Sequence, residues 1–150
     1  MEMVRFILPA LLCLAPLEAA EFTLTIGNPI AANMPRMKTA SLAVRLENCA
    51  DLSKASLTAT AEGLAAGERK SIPLQAVAGT APGVYALAHA WPFEGSWVVN
   101  LKATCENAKA GAVVPFRGMG FVRESTKVFS RFATAAEIDG ALKETSGGPK

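Results

Sequence analysis

Gly95-Ser-Trp-Val-Val-Asn-Leu-Lys-Ala-Thr-Cys105 alternates by position. Trp97, Val99, Leu101, Ala103 and Cys105 share one parity, and Ser96, Val98, Asn100, Lys102 and Thr104 share the other. Side chains of a strand repeat every two residues, so the stretch predicts one packed face and one face toward water. Working outward, six more short stretches read the same way: 22–26, 39–48, 55–61, 69–77, 84–90 and 112–122. Phe22, Leu24 and Ile26 point one way in the first, and Leu42, Val44 and Leu46 in the second.

Turn signals separate the stretches. Gly27-Asn28-Pro29 ends the first, and 28–38 forms a loop with Met34 and Met37. Residues 61–67 read as a connection, 91–95 and 106–111 as hairpin connections, and Gly118 and Gly120 as a bend in the last strand. Pro73 inside a strand predicts an edge position. In 84–90, Tyr85, Leu87 and His89 share a face, while Val84, Ala86, Ala88 and Ala90 give a small face suited to the opposite sheet. Thr134 followed by Glu137 is a capping-box signature, which predicts a helix over 135–144. The expected fold is all-β, an antiparallel immunoglobulin-like sandwich of about seven strands with a short C-terminal helix.

Residues 1–20 read as a secretory signal: Arg5 precedes an apolar run from Phe6 to Leu17, and small Ala19 and Ala20 follow. That run is short for a membrane span, so cleavage is expected over retention as an anchor. The division is then 1–20 signal peptide, 21–123 sandwich and 124–150 a C-terminal extension, in a periplasmic or secreted protein. No later stretch has spanning length, so the mature domain is not expected to cross a membrane. From Glu21 on, 14 Lys and Arg face 11 Asp and Glu without a basic run, which argues against nucleic acid as partner. Arg117, Arg123, Lys127 and Arg131 gather loosely after the last strand, as a solvated face or a patch for an anionic partner.

Cys49 and Cys105 remain after cleavage. Two cysteines in a small exported domain are expected to pair, against the alternative of two buried free thiols. Cys49 falls on the outward parity of Arg45 and Glu47, so it must lie past its strand or at a bulge where the face switches. Trp97 is a candidate core tryptophan near that bridge.

Gly83-Val84-Tyr85 followed by Gly95-Ser96-Trp97-Val98-Val99 resembles the FixH/YtkA-like group of bacterial exported domains, over residues 21–104. The resemblance implies an immunoglobulin-like sandwich outside the cytoplasmic membrane, linked to copper handling or oxidase assembly. The chain departs in lacking a histidine-rich loop, in adding a seventh strand and tail, and in showing no anchor of the FixH type.

Chemistry-bearing residues are few. Met34 and Met37 are soft thioethers at a spacing that can converge on Cu(I), with Met119 a third donor if the two loops meet. The alternative is apolar cover for one end of the sandwich. His89, the single histidine, is a metal-ligand candidate or a half-buried, hydrogen-bonded residue. No Gly-x-Ser-x-Gly elbow, zinc-ligand spacing or dinucleotide loop is present. The expected function is therefore a non-enzymatic exported module that binds a partner protein or small ligand in the cell envelope, with no cofactor. The alternative is a copper-handling or oxidase-assembly domain using Met34, Met37, Met119 and His89, with copper as its cofactor.

Overall fold

The computed structural model describes residues 20–29 and 40–146. The leader, Met34, Met37 and residues 147–150 lie outside the described residues. The strands are β1 (Thr23–Gly27), β2 (Ala40–Glu47), β3 (Ala55–Ala65), β4 (Glu68–Leu74), β5 (Ala76–Ala78), β6 (Val84–Ala88), β7 (Ser96–Cys105), β8 (Ala108–Arg117), β9 (Gly120–Phe121) and β10 (Lys127–Phe129), followed by helix α1 (Ala135–Ser146).

Two antiparallel sheets form. One has the order β1-β2-β6-β5; the other runs β10-β8-β7-β3-β4, with β9 also on β8. Setting β9 and β10 aside, this is the immunoglobulin-like Greek-key order, with β4 added beside β3. Alternation explains the layering. Leu42, Val44, Leu46 and Leu87 from the first sheet meet Leu57, Val99, Leu101 and Val114 from the second in one core.

Among the described residues ten strands replace the expected seven, for local reasons. The stretch 69–77 divides at Gln75: β4 pairs with β3, whereas β5 pairs with β6 in the other sheet. Pro73 sits on β4, an edge strand as its missing N–H requires. The stretch 112–122 also divides. Along the outer edge of β8, β10 takes Gly111 to Val113 and β9 takes Phe116 and Arg117. Pro115 lies in the gap between them, and its carbonyl accepts from the Val122 N–H at 2.8 Å.

Four expectations about connections and faces are corrected. Residues 61–67 are not a connection, because β3 continues to Ala65 and a two-residue turn leads to β4. The 106–111 hairpin shrinks to Glu106 and Asn107, with Cys105 already opposite Ala108. Residues 91–95 are not a hairpin, since they cross from β6 in one sheet to β7 in the other. The small face of β6 points away from the opposite sheet; Tyr85 and Leu87 supply the packing face instead.

The outward parity of β7 is not left to water either. Val98 is fully buried, and Asn100 is only 5% exposed. Helix α1 covers them: Ile138, Ala141 and Leu142 pack on Val98 and Val113 in a second core. Gly111 makes this close approach possible, since a Cβ there would meet the Arg131 carbonyl at 2.5 Å and Phe132 Cα at 3.1 Å. The helix begins at Ala135 as expected and extends to Ser146. Its capping box is closed: Thr134 N–H donates to Glu137 Oε1 at 2.9 Å, and Glu137 N–H donates to Thr134 Oγ1 at 3.2 Å. Of the four cations near this region, Arg131 pairs with Glu137, Lys127 lies 3.9 Å from Glu144, and Arg123 stands over Phe121.

Cys49 and Cys105 form a disulfide, with Cα atoms 5.9 Å apart. The face switch comes from Asn48, whose φ of 64° turns the chain just past β2 and carries Cys49 inward. The bridge thus ties the two sheets at one pole. Trp97 is in the core but not near the bridge, because it begins the strand that Cys105 ends, roughly 26 Å away at strand rise.

Replacing Cys49 or Cys105 by Ser is expected to cost about 2–5 kcal/mol in denaturant unfolding under oxidising conditions. A second prediction concerns pH. The Arg131 guanidinium hydrogen bond, followed by the Thr134 amide, holds the Glu137 carboxyl down at about 2 from its ordinary 4.5. A carboxyl depressed in the fold contributes stability above its unfolded value and loses it as pH falls through the folded value. Amide protection in Ile138 to Leu142 should be complete above about pH 4.5 and decline toward about pH 2, and Glu137→Gln should flatten that decline.

Candidate functional site: the aromatic end of the sandwich

The pole opposite the disulfide gathers the chemistry-bearing side chains. Ala88, the last residue of β6, stands opposite Ala40, the first of β2. His89 follows at once, and the chain then crosses between sheets through Trp91 and Phe93 to Trp97. Phe116, opposite Trp97 on β8, also stands opposite Phe121 on β9. The ends of β1, β6 and β8 and the starts of β2 and β7 thus converge.

Trp97 anchors this end. Its ring lies flat over Gly63 of β3, where a Cβ would overlap the indole. Its Nε1–H donates to the Glu94 carbonyl at 2.8 Å and pins the crossover. Trp91 is buried, and Phe116 meets it edge-on with ring centroids 4.9 Å apart. The His89 imidazole is stacked with Trp91 at 4.0 Å and with Phe93 at 4.7 Å, at interplanar angles of 28° and 22°. Two rings so nearly parallel to one imidazole cannot share a face of it without overlapping, so Trp91 and Phe93 flank it. Phe116 presents an edge to the same ring, centroids 6.5 Å apart.

His89 is half-buried, as its parity suggested, but the expected hydrogen bond is absent. Both Nδ1 and Nε2 are buried without a hydrogen-bond partner among the described residues. Leaving such a group unpaired costs on the order of 1–3 kcal/mol. The stacking contacts offset part of that cost, since each is worth about 0.5–1.5 kcal/mol beyond burial.

Outside this stack two large apolar side chains stand exposed. Phe93 is 69% exposed, although its inner face rests on the His89 ring. Met119, at the β8–β9 turn, is 61% exposed. It lines an open depression together with Asn28, Pro29, Ser41, Gly120 and Phe121. Pro29 and Ser41 bracket the segment that carries Met34 and Met37, so both described ends of that segment reach the rim where Met119 stands. Among the described residues, no three His, Cys, Asp or Glu side chains gather to hold a metal, and no helix is long and apolar enough to cross a membrane.

Sequence reasoning missed Trp91 and Phe93. Read as parts of a short hairpin, they had no partner; once the segment crosses between sheets, they fall on either side of His89. The spacing His-Ala-Trp-Pro-Phe was the available signal. No family model, curated protein or solved structure matches the chain.

Gly63→Ala should force the Trp97 indole off β3. A loss of about 1–3 kcal/mol in urea unfolding is expected, as for other overpacked cores, with an altered near-ultraviolet circular dichroism signal from tryptophan. A variant as stable as the parent, with an unchanged tryptophan signal, would contradict the packing described.

Proposed function

We propose that the chain is an exported, non-enzymatic binding module that takes a partner protein or small ligand of the cell envelope at its aromatic end. One observation carries this reading: Phe93 is exposed to 69% while its inner face stacks on the His89 ring, which Trp91 backs in turn. An aromatic ring that is both presented and rigid loses little entropy on binding, which is how interface anchors act. Sandwiches offer ligands their end loops, and the β3–β4, β6–β7 and β8–β9 connections lie at this end. The resemblance of Gly83 to Val99 to the FixH/YtkA-like domains supports the same setting outside the cytoplasmic membrane, as does the disulfide.

A second reading is copper handling. It is favoured by Met119 lying on the same rim as the ends of the segment carrying Met34 and Met37, and by the two unpartnered nitrogens of His89. These are soft and borderline donors of the kind Cu(I) takes, and they would supply its ligands.

Two measurements separate the readings. Phe93→Ala should lower the thermal midpoint only by the few degrees that one lost stack implies and weaken capture of envelope components by at least about tenfold, or 1.4 kcal/mol, whereas an exposed change at the disulfide pole such as Lys54→Ala should not weaken capture. Equal capture by Phe93→Ala and the parent would reject the binding end. A competition titration with Cu(I) should show no difference between the parent and a Met34→Leu, Met37→Leu, Met119→Leu variant on the first reading, and a lost site on the second.

A further inference from the structure

The outer face of the second sheet is covered by α1 over Val98 and Val113 and is open beyond them, toward the disulfide pole. The open part carries Ser56 and Thr58 from β3, Lys102 and Thr104 from β7, and Lys109 from β8. Thr58 stands opposite Lys102 and Ser56 opposite Thr104, while Thr104 also stands opposite Lys109. The Ser56 and Thr104 hydroxyls are 2.7 Å apart. Phe132, seated over Gly111, closes one side of the patch.

Two ammonium groups converge on that one ring. Lys102 Nζ is 5.5 Å and Lys109 Nζ 5.2 Å from the Phe132 centroid. An aromatic face attracts a cation but neutralises no charge. Neighbouring like charges on a sheet repel. The carboxylates bordering this face are already engaged: Glu62 and Asp139 by Arg69, Glu137 by Arg131, Glu144 by Lys127 and Glu106 by Lys54. Among the described residues, neither Lys102 nor Lys109 has a carboxylate within ion-pair reach.

We propose that Lys102 and Lys109 bind a phosphate group, with the Thr58 hydroxyl and the one proton that the Ser56–Thr104 hydrogen bond leaves free as further donors. The chemistry of the donors selects this class. Lysine ammoniums are point charges with three rotatable donors, and the planar fork that pairs a carboxylate in bidentate fashion belongs to arginine. A tetrahedral oxyanion carrying nearly two negative charges neutralises both ammoniums and offers acceptor oxygens in several directions. The site is separate from the aromatic end and does not depend on the binding proposed there.

The test is a titration of the isotopically labelled chain with inorganic phosphate, followed by backbone amide shifts, with chloride at matched ionic strength as control. Saturable shifts confined to Ser56, Thr58, Lys102, Thr104, Lys109 and Phe132 are expected with phosphate and not with chloride. A Lys102→Gln, Lys109→Gln variant should bind about tenfold more weakly or not at all, with Trp97 shifts unchanged as the control for folding. Should that variant fold poorly, either single change should weaken binding by a smaller factor. Non-saturating shifts like those of chloride would overturn the proposal, as would full affinity in the double variant. Binding to vesicles containing phosphatidic acid without any response to inorganic phosphate would also overturn it, by showing a membrane-surface effect.

Discussion

Strand β7 buries side chains on both of its faces through its first half, and both faces must be kept from water. Inward, Trp97, Val99 and Leu101 require the four-stranded sheet. Outward, Val98 requires α1, together with Val113 beside it. The rest of the molecule follows from these two demands. The chain crosses three times between sheets, at β2–β3, β4–β5 and β6–β7, to build the first cover. It then spends its last third of elements on the second: β9 and β10 occupy the outer edge of β8, and the segment from Arg131 to Ala133 passes directly over Gly111 to set the helix down. The capping box and the Arg131–Glu137 pair fix where the helix starts, so that Ile138, Ala141 and Leu142 fall on Val98 and Val113.

The strands were legible wherever one face was polar. Thr23 and Thr25 between Phe22, Leu24 and Ile26 gave the first strand's orientation, and the parity of Cys49 gave the need for a switch that Asn48 supplies. What could not be read was which sheet each strand joins. A period of two marks a buried face without saying which neighbour buries it, so β4 and β5 looked like one strand and 91–95 looked like a hairpin. Val98 in an otherwise polar row was the one sign that β7 is covered twice, and it is a single residue in a row of five.

The candidate site was legible in part. His89 and Met119 were picked out by residue type, and the fold brings both to one pole. The partners of His89 were not, because stacking depends on a crossover whose path is set by Trp97 lying on Gly63 and bonding to the Glu94 carbonyl. Lys102 and Lys109 were invisible for a related reason. Separated by a turn, they share one face of the β7–β8 hairpin, and the ring that both approach comes from Phe132, far along the chain.

The position of the disulfide has a consequence for how the protein can diversify. It joins the sheets at the pole where Cys49 and Cys105 meet, and the aromatic end lies at the other. Covalent restraint of the unfolded chain stabilises the whole sandwich, wherever the bridge is placed. Substitutions in the crossover and in the β8–β9 turn therefore draw on a reserve held at a distance from them. Selection can rewrite the exposed rim around Phe93 and Met119 for a new partner while the same scaffold persists. The residues that cannot drift with it are the few that seat the rim on the core: Gly63, Trp97 and Phe116.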